Sequence, residues 1–469
     1  MWRILKNELI FLLRNRVIKA ITAGFIILLL LTIYLGSLQT ETQSETYKAA
    51  KSHLREQWES LDAVNPHSAA HYGTYVFKPA NLLSSLDEGV RGTTGNVLRV
   101  EGHVQNEIAH SEASQMQFVS KFGKLKSSLI LQFIIPLLLI FLAFRSISAE
   151  KESGRLKFLL LQGASKSNIL WAKLLSVWLF GLLLLFLTVA LYVLINFNSI
   201  NTDTFKRLSL FFTSYSVYYF IISRLTVFFS AIWQNATTAL TTMLGIWILW
   251  SIFLPNIMMS TIEKLYELPS RDEFQSAMKE DRSEGINGHD PKDARAKALK
   301  EKILSEYNID SLSALPINFD GIVMQADEEY GNMVWDKHFG AIRDITTKQK
   351  RAYQLAAIIN PFISLQNTSM GFAANDNYHH QAFLLQAEHY RRDLIKTLND
   401  EHAYGGSKTG NWDWQADNDF YSSIPDFTYR PLKFNEVFFR YRLDLIILMC
   451  WVILTCLFVT LSSNKMKIA

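Results

Sequence analysis

His103, Glu107 and His110 are spaced i, i+4, i+7, which on a helix would place all three on one face, as metal ligands require. His67 and His71 repeat the i, i+4 step, and His379, His380, Glu388 and His389 gather further along. None follows the HExxH order of zinc proteases, so the plainer expectation is a solvated helix face with scattered histidines and no metal. Asp413, Asp417 and Asp419 stand among Trp412, Trp414 and Phe420, but the glycine and distal glutamate of an EF-hand loop are missing and a surface turn is expected. The chain has no GxSxG elbow, and its two cysteines, Cys450 and Cys456, fall in an apolar run where neither can act as a nucleophile in water. A phosphate-cradling GxxxxGK[ST] string is also missing. Gly405-Gly406-Ser407-Lys408-Thr409 lacks the Gly-Lys pair and reads as a flexible turn. No catalytic residue and no cofactor of its own are expected.

Four other features carry chemistry of a different kind. Glu150, Glu152, Gly154 and Arg155 make a charged turn, followed by Leu156, Leu159 and Leu160 on one helical face. Such a short amphipathic helix suits a groove on a soluble partner or the surface of lipid. Arg224 is the one charge well inside an apolar run, where it costs roughly 3 kcal/mol or more at the bilayer centre. Counted from Leu208 it lies about 24 Å deep, near the far headgroups, so snorkelling is expected rather than a functional contact. Pro136 removes one backbone hydrogen bond and should kink its helix, as a hinge or a tolerated bend. Gln132, one turn earlier, is the candidate polar group of a pathway.

The elements that position these residues follow from the uncharged runs. The 469 residues are 49% hydrophobic and only 19% charged, with a mean hydropathy of +0.08. A bilayer core needs about 20 apolar residues in a helix. Runs at 20–38, 127–144, 174–197, 208–229, 237–258 and 443–463 meet that length, the fourth and fifth divided at Gln234-Asn235. The first run exceeds the apolar region of a secretory signal and is taken as retained. The expected class is therefore an all-α polytopic membrane protein with six transmembrane helices. Two cysteines exclude a disulfide scaffold, and a net charge of +4 is too weak to argue for nucleic acid.

Basic residues near the membrane set orientation. Thirteen of them (Arg3, Lys6, Arg14, Arg16, Lys19, Arg145, Lys151, Arg155, Lys157, Lys166, Lys173, Lys465 and Lys467) fall on one side, against Lys206 and Arg207 in the short loop opposite. Both termini are thus expected in the cytoplasm. Lys121, Lys124 and Lys126 run against the rule, but long loops cross largely regardless of charge. The segments 39–126 and 259–442 then project outward as one mainly helical domain. Tyr47, Ala50, Leu54, Trp58 and Leu61 give one helical stripe, and short strands are expected at Gly73 to Phe77 and Asn96 to Val100.

The order of motifs carries a resemblance. A span ending in Ala-Glu-Lys-Glu-Ser-Gly-Arg-Leu (149–156), then Leu-Leu-Leu and Ser-Lys-Ser before the next, resembles ABC-2-type permease subunits. The basic segment 1–19 resembles the interfacial elbow helix before their first span. The outer stretches Ala69 to Asn96 and Asn360 to Arg392, with Trp247 and Pro255, resemble a bacterial subgroup with large periplasmic insertions of unassigned function. The resemblance covers nearly the whole chain. It implies that 145–173 holds the coupling helix, whose residues Glu150, Glu152, Gly154, Arg155, Leu156, Leu159 and Leu160 would meet the ATPase. It further implies an ATPase subunit dimer that binds the ATP, a second permease subunit, identical or paralogous, surrounding membrane lipids, and a place in the bacterial inner membrane. The function implied is an ATP-driven exporter. The alternative is a transmission subunit that rearranges outer helices and a periplasmic partner while nothing crosses the bilayer.

Overall fold

The computed structural model describes residues 1–105 and 126–465. Asn15 separates the first two helices, α1 (Trp2–Arg14) and α2 (Arg16–Glu59). Its backbone is extended, and its side chain accepts from Val17 N at 2.9 Å and Ile18 N at 3.2 Å, so one helix ends and the next is capped at the same residue. α2 runs unbroken for 44 residues, about 66 Å and so roughly twice the depth of a bilayer core. Leu29 and Ile33 are buried in the core shared with the other spans. At the far end Trp58 is buried in a different core, its Nε1 donating to the Tyr421 carbonyl at 3.0 Å.

Among the described residues six helices are long and apolar enough to cross a membrane, the number expected, and the fold is 77% helical with almost no strand. After α2 they are α4 (127–143), α7 (Lys166–Ile195), α8 (Thr202–Ile232), α9 (Ala236–Leu265) and α16 (Phe434–Lys465). Between α4 and α7 lie two short helices, α5 (Ser148–Glu152) and α6 (Arg155–Leu161). α8 is the central span: Phe211, Tyr215, Tyr218 and Tyr219 are fully buried, and it packs against α4, α7 and α16.

Pro136 does not simply kink α4. A π turn, Ile130–Ile134, precedes it, and the same arrangement recurs in α9, where the π turn Leu249–Phe253 precedes Pro255. In π geometry the carbonyl of residue i accepts from the N–H of i+5, a donor that a proline lacks. The carbonyls left without a backbone donor are those of Leu131 and Trp250. Both are satisfied from outside their own helix: Tyr219 Oη donates to Leu131 O at 2.8 Å, and Asn360 Nδ2 to Trp250 O at 2.8 Å.

The two segments expected to project outward fold into one domain. α3 (Pro66–Tyr72) and the antiparallel pair β1 (Thr74–Phe77) and β2 (Val97–Val100), with Thr74 opposite Val100, come from the first. The second supplies α10 (Arg271–Glu284), α11 (Lys292–Glu306), α12 (Phe319–Ala356), α13 (Pro361–Phe372), α14 (Asn377–Tyr404) and α15 (Asn418–Ser423). Trp58, Val76, Leu98, Val100, Phe383, Leu394, Leu398 and Tyr421 share its core.

α13 departs from this plan. Its Phe362, Leu365 and Phe372 are buried in the core of the spans, packed against α8 and α16. Its polar face is tied there too. Asn367 Nδ2 donates to Asp444 Oδ1 of α16 at 2.9 Å, and Lys350 Nζ of α12 to Asn367 Oδ1 at 2.6 Å. A helix from within the stretch expected to lie wholly outside is thus wedged into the bundle.

Candidate functional site

The loop between α4 and α7 is held by four helices, α8 and α9 at their ends and α1 and α7 through side chains. Ser230 Oγ of α8 accepts from Ile147 N at 3.0 Å and Ser148 N at 3.1 Å. The Lys151 ammonium is buried and donates to the carbonyls of Ala231 and, at 3.3 Å, Trp233, where the negative end of the α8 dipole favours a cation. Next to it, Glu152 Oε1 accepts from Ala236 N at 3.0 Å, at the positive end of α9. Successive charges thus clamp the turn 233–235 from both sides. Glu150 Oε1 accepts from Lys173 Nζ of α7 at 2.5 Å, and the same ammonium reaches Glu8 Oε1 of α1 at 2.6 Å.

The expected contact set therefore divides. Glu150 and Glu152 are spent on internal ties. Gly154 stands at φ +70° with open space where a Cβ would go, and Arg155 is exposed. Leu156 is 1% exposed and belongs to the core of the spans, with Leu159 and Leu160 half-buried against it. The face chosen from the sequence turns inward, and Leu156 is not free to touch a partner. The apolar side chains that α6 does present are Phe158, 67% exposed, and Leu161, 83% exposed. Nothing in the spacing distinguished the two faces, because both are leucine-rich. A groove of about 780 Å³ opens beside the loop, lined by Glu8, Leu12, Ile18, Leu138, Arg145 and Phe158 among others.

Gln132 points into a buried polar cluster. It is buried, and its Nε2 donates to Asp87 Oδ2 and Tyr215 Oη, both at 3.2 Å, and to Ser369 Oγ at 3.4 Å. Ser369 of α13 in turn donates to Asp87 and bonds Tyr215 Oη at 2.8 Å. Burial pushes the Asp87 carboxyl above its ordinary range, opposed by the Ser369 hydroxyl and the Gly89 N–H. One node thus joins a loop of the outer domain, α13 and two spans.

Arg224 does not snorkel. It is 1% exposed, with Nε donating to Thr455 O at 2.8 Å and Nη2 to Cys456 O at 3.1 Å, and its guanidinium lies 4.3 Å from the centroid of the Trp171 ring. Backbone carbonyls of α16 and an aromatic face stabilise the charge inside the bundle instead of the headgroups. Cys456 is half-buried and Cys450 exposed on the face of the same helix.

The histidine groups regroup. His379 is held by Asp376 within α14's first turn, Glu388 is paired with Arg391 and Arg392, and His389 is exposed, so these do not converge. Burial first, and Lys78 second, lower the His380 ring to about 4. Glu107, His110, Lys121, Lys124 and Lys467 lie outside the described residues. His103 is not on a helix face with them; it sits at φ +63° in a turn after β2, beside His67 and His71. Burial, then the rings of His71, His103 and His402, lower His67 to about 4, leaving it neutral at pH 7. Asp417 caps α15, accepting from Phe420 N at 3.0 Å, while Asp413 is exposed in a turn.

A bundle of six spanning helices with a clamped loop at one end and a two-segment domain at the other defines a multi-pass helical membrane protein. The chain belongs to the ABC-2 family: the family described as ABC-2 family transporter protein matches residues 2–313. Residues 271–430 match a domain of unknown function, DUF3526. A search of curated proteins found no match. The ABC-2 family is one of membrane permease subunits of ABC exporters, not itself catalytic, and membership implies an ABC ATPase partner in general.

Proposed function

We propose that this chain is the permease subunit of an ABC-2-type exporter, driven by two ATPase subunits that engage α6 through Phe158 and Leu161. It would lie in the bacterial inner membrane with both termini and the α5–α6 loop cytoplasmic, as the thirteen basic residues favour. A second permease, identical or paralogous, would pair with it. The observation that carries this reading is the clamp: Lys151 and Glu152 tie the loop to the ends of α8 and α9, and Glu150 ties it through Lys173 to α7 and α1. A displacement of α6 is thereby delivered to four helices at once. The test is the double variant Phe158→Asp with Leu161→Asp. Co-purification of the ATPase and stimulation of its activity should fall at least tenfold, with the variant's own melting temperature unchanged. Wild-type values for both would overturn the docking assignment.

A second reading is favoured by α13 and α2. α2 runs from the span core into the outer domain, α13 lies in the span core directly before α14 of that domain, and buried hydrogen bonds at Asp87 and Asp444 fasten the two regions together. Motion of the spans would then be transmitted to outer helices and a periplasmic partner, with nothing conducted. Reconstituted vesicles that respond to ATP with outer-domain rearrangement but export no lipid-like substrate would favour it over export.

A further inference from the structure

α3 presents His67 and His71 one helical turn apart, and the turn after β2 brings His103 across to them. The three rings make a closed triangle, with centroids 4.6, 5.4 and 5.1 Å apart, and one nitrogen from each lies within 4.8 Å of the others. His67 Nε2 and His71 Nε2 face each other at 3.2 Å. Two imidazole nitrogens at that distance share one proton between them, so one lone pair points at the other ring. Tetrahedral zinc with Zn–N bonds of about 2.0–2.1 Å separates its ligand nitrogens by about 3.3 Å, nearly the spacing already present.

The third ring is aimed from behind. Glu328 of α12 holds His103 twice, accepting from its backbone N–H and, at 2.8 Å, from Nδ1. That fixes the tautomer and leaves Nε2 as the ring nitrogen open to an ion, the carboxylate–histidine arrangement that orients metal-bound imidazoles. Glu328 is itself buried and anchored by Arg391 Nη1 at 3.0 Å, which Glu388 holds at 2.9 Å. This pairing explains why a carboxylate is buried at the domain core beside a partly exposed ring.

We propose that His67, His71 and His103 form a binding site for a divalent transition cation of the zinc class, with one coordination position open to solvent. Three imidazoles with no carboxylate or thiolate among them suit Zn²⁺, Cu²⁺ or Ni²⁺ and do not suit Mg²⁺ or Ca²⁺. His71 is exposed and the other two are partly so, giving the ion an entry path and room for water or an incoming ligand. The ion would also pin α3 to the end of β2.

The experiment uses the full chain in detergent, freed of any polyhistidine tag, stripped with chelator and titrated with zinc sulfate by calorimetry, with bound metal counted by mass spectrometry. One zinc per chain is expected. His71→Ala and His103→Asn should each weaken it at least tenfold, asparagine being chosen because it tolerates the left-handed backbone at 103. Glu328→Gln, a positioning change, should weaken it about tenfold to a hundredfold. His389→Ala should leave it unchanged. The apo melting temperature of His71→Ala, on an exposed side chain, checks folding. Less than a fifth of an equivalent of zinc at 100 μM, or affinity indifferent to His71→Ala and His103→Asn, would overturn the site.

Discussion

Glu328 holds two partners, His103 and Arg391, and its ionisation decides both. Burial by itself would raise its carboxyl, but hydrogen bonds from His103 and the Arg391 guanidinium outweigh it and hold the group at about 2, against 4.5 in an unstructured chain. A depressed folded value stabilises the protein above the unfolded value, and that stability is lost as pH falls from about 5 towards 2. The full chain in detergent should therefore melt progressively lower between those limits. Glu328→Gln should be less stable at neutral pH and show a shallower slope over the same interval. An identical slope in thermal melts of the two proteins would remove Glu328 from the account. The convergence of His103 on His67 and His71 was not legible in the chain. Spacing pairs it with Glu107 and His110, whereas a left-handed turn and a strand pair across tens of residues bring it to α3.

At the scale of elements, each π turn hands one carbonyl to a neighbour. Tyr219 takes that of Leu131 and Asn360 that of Trp250. Tyr219→Phe should cost about 1–3 kcal/mol by stranding a buried acceptor. In a Pro136→Ala background the restored N–H can take that carbonyl, so the same change should cost much less. A double-mutant cycle read by thermal unfolding checks this, and additive losses would refute the linkage. The spans themselves were plain from uncharged runs, since one 20-residue apolar stretch admits little else. α13 was not. Twelve residues reach only about 18 Å, and Asn367, Thr368 and Ser369 give it the look of a surface helix. Thr368 bonds back to the Ser364 carbonyl of its own helix, but Asn367 and Ser369 are matched by Asp444 and Asp87 from distant elements, which no local pattern announces. The docking helix shows the same limit: apolar residues surround α6, and only packing reveals which are left over.

For the whole molecule, α2 is a rigid strut with one end in each core. Glu41 is exposed midway, just beyond the span. Glu41→Pro should interrupt the helix there at about 3 kcal/mol of local cost and separate motion of the spans from motion of the domain. Electron-spin distances between labels on α14 and α8 should change on nucleotide trapping in the wild type and not in the variant, while ATPase stimulation persists. An unaltered distance change would mean that α13 alone carries the connection.

The wedge of α13 also governs how such a chain can be made. Its partners include α16, which leaves the ribosome some sixty residues after it. Until that helix arrives, Phe362, Leu365 and Phe372 have no complete seat. The seating of α13 is thus delayed until α16 has been made, which ties its packing to the insertion of that span. A truncated product ending before residue 434 would leave the apolar side chains of α13 that face α16 uncovered.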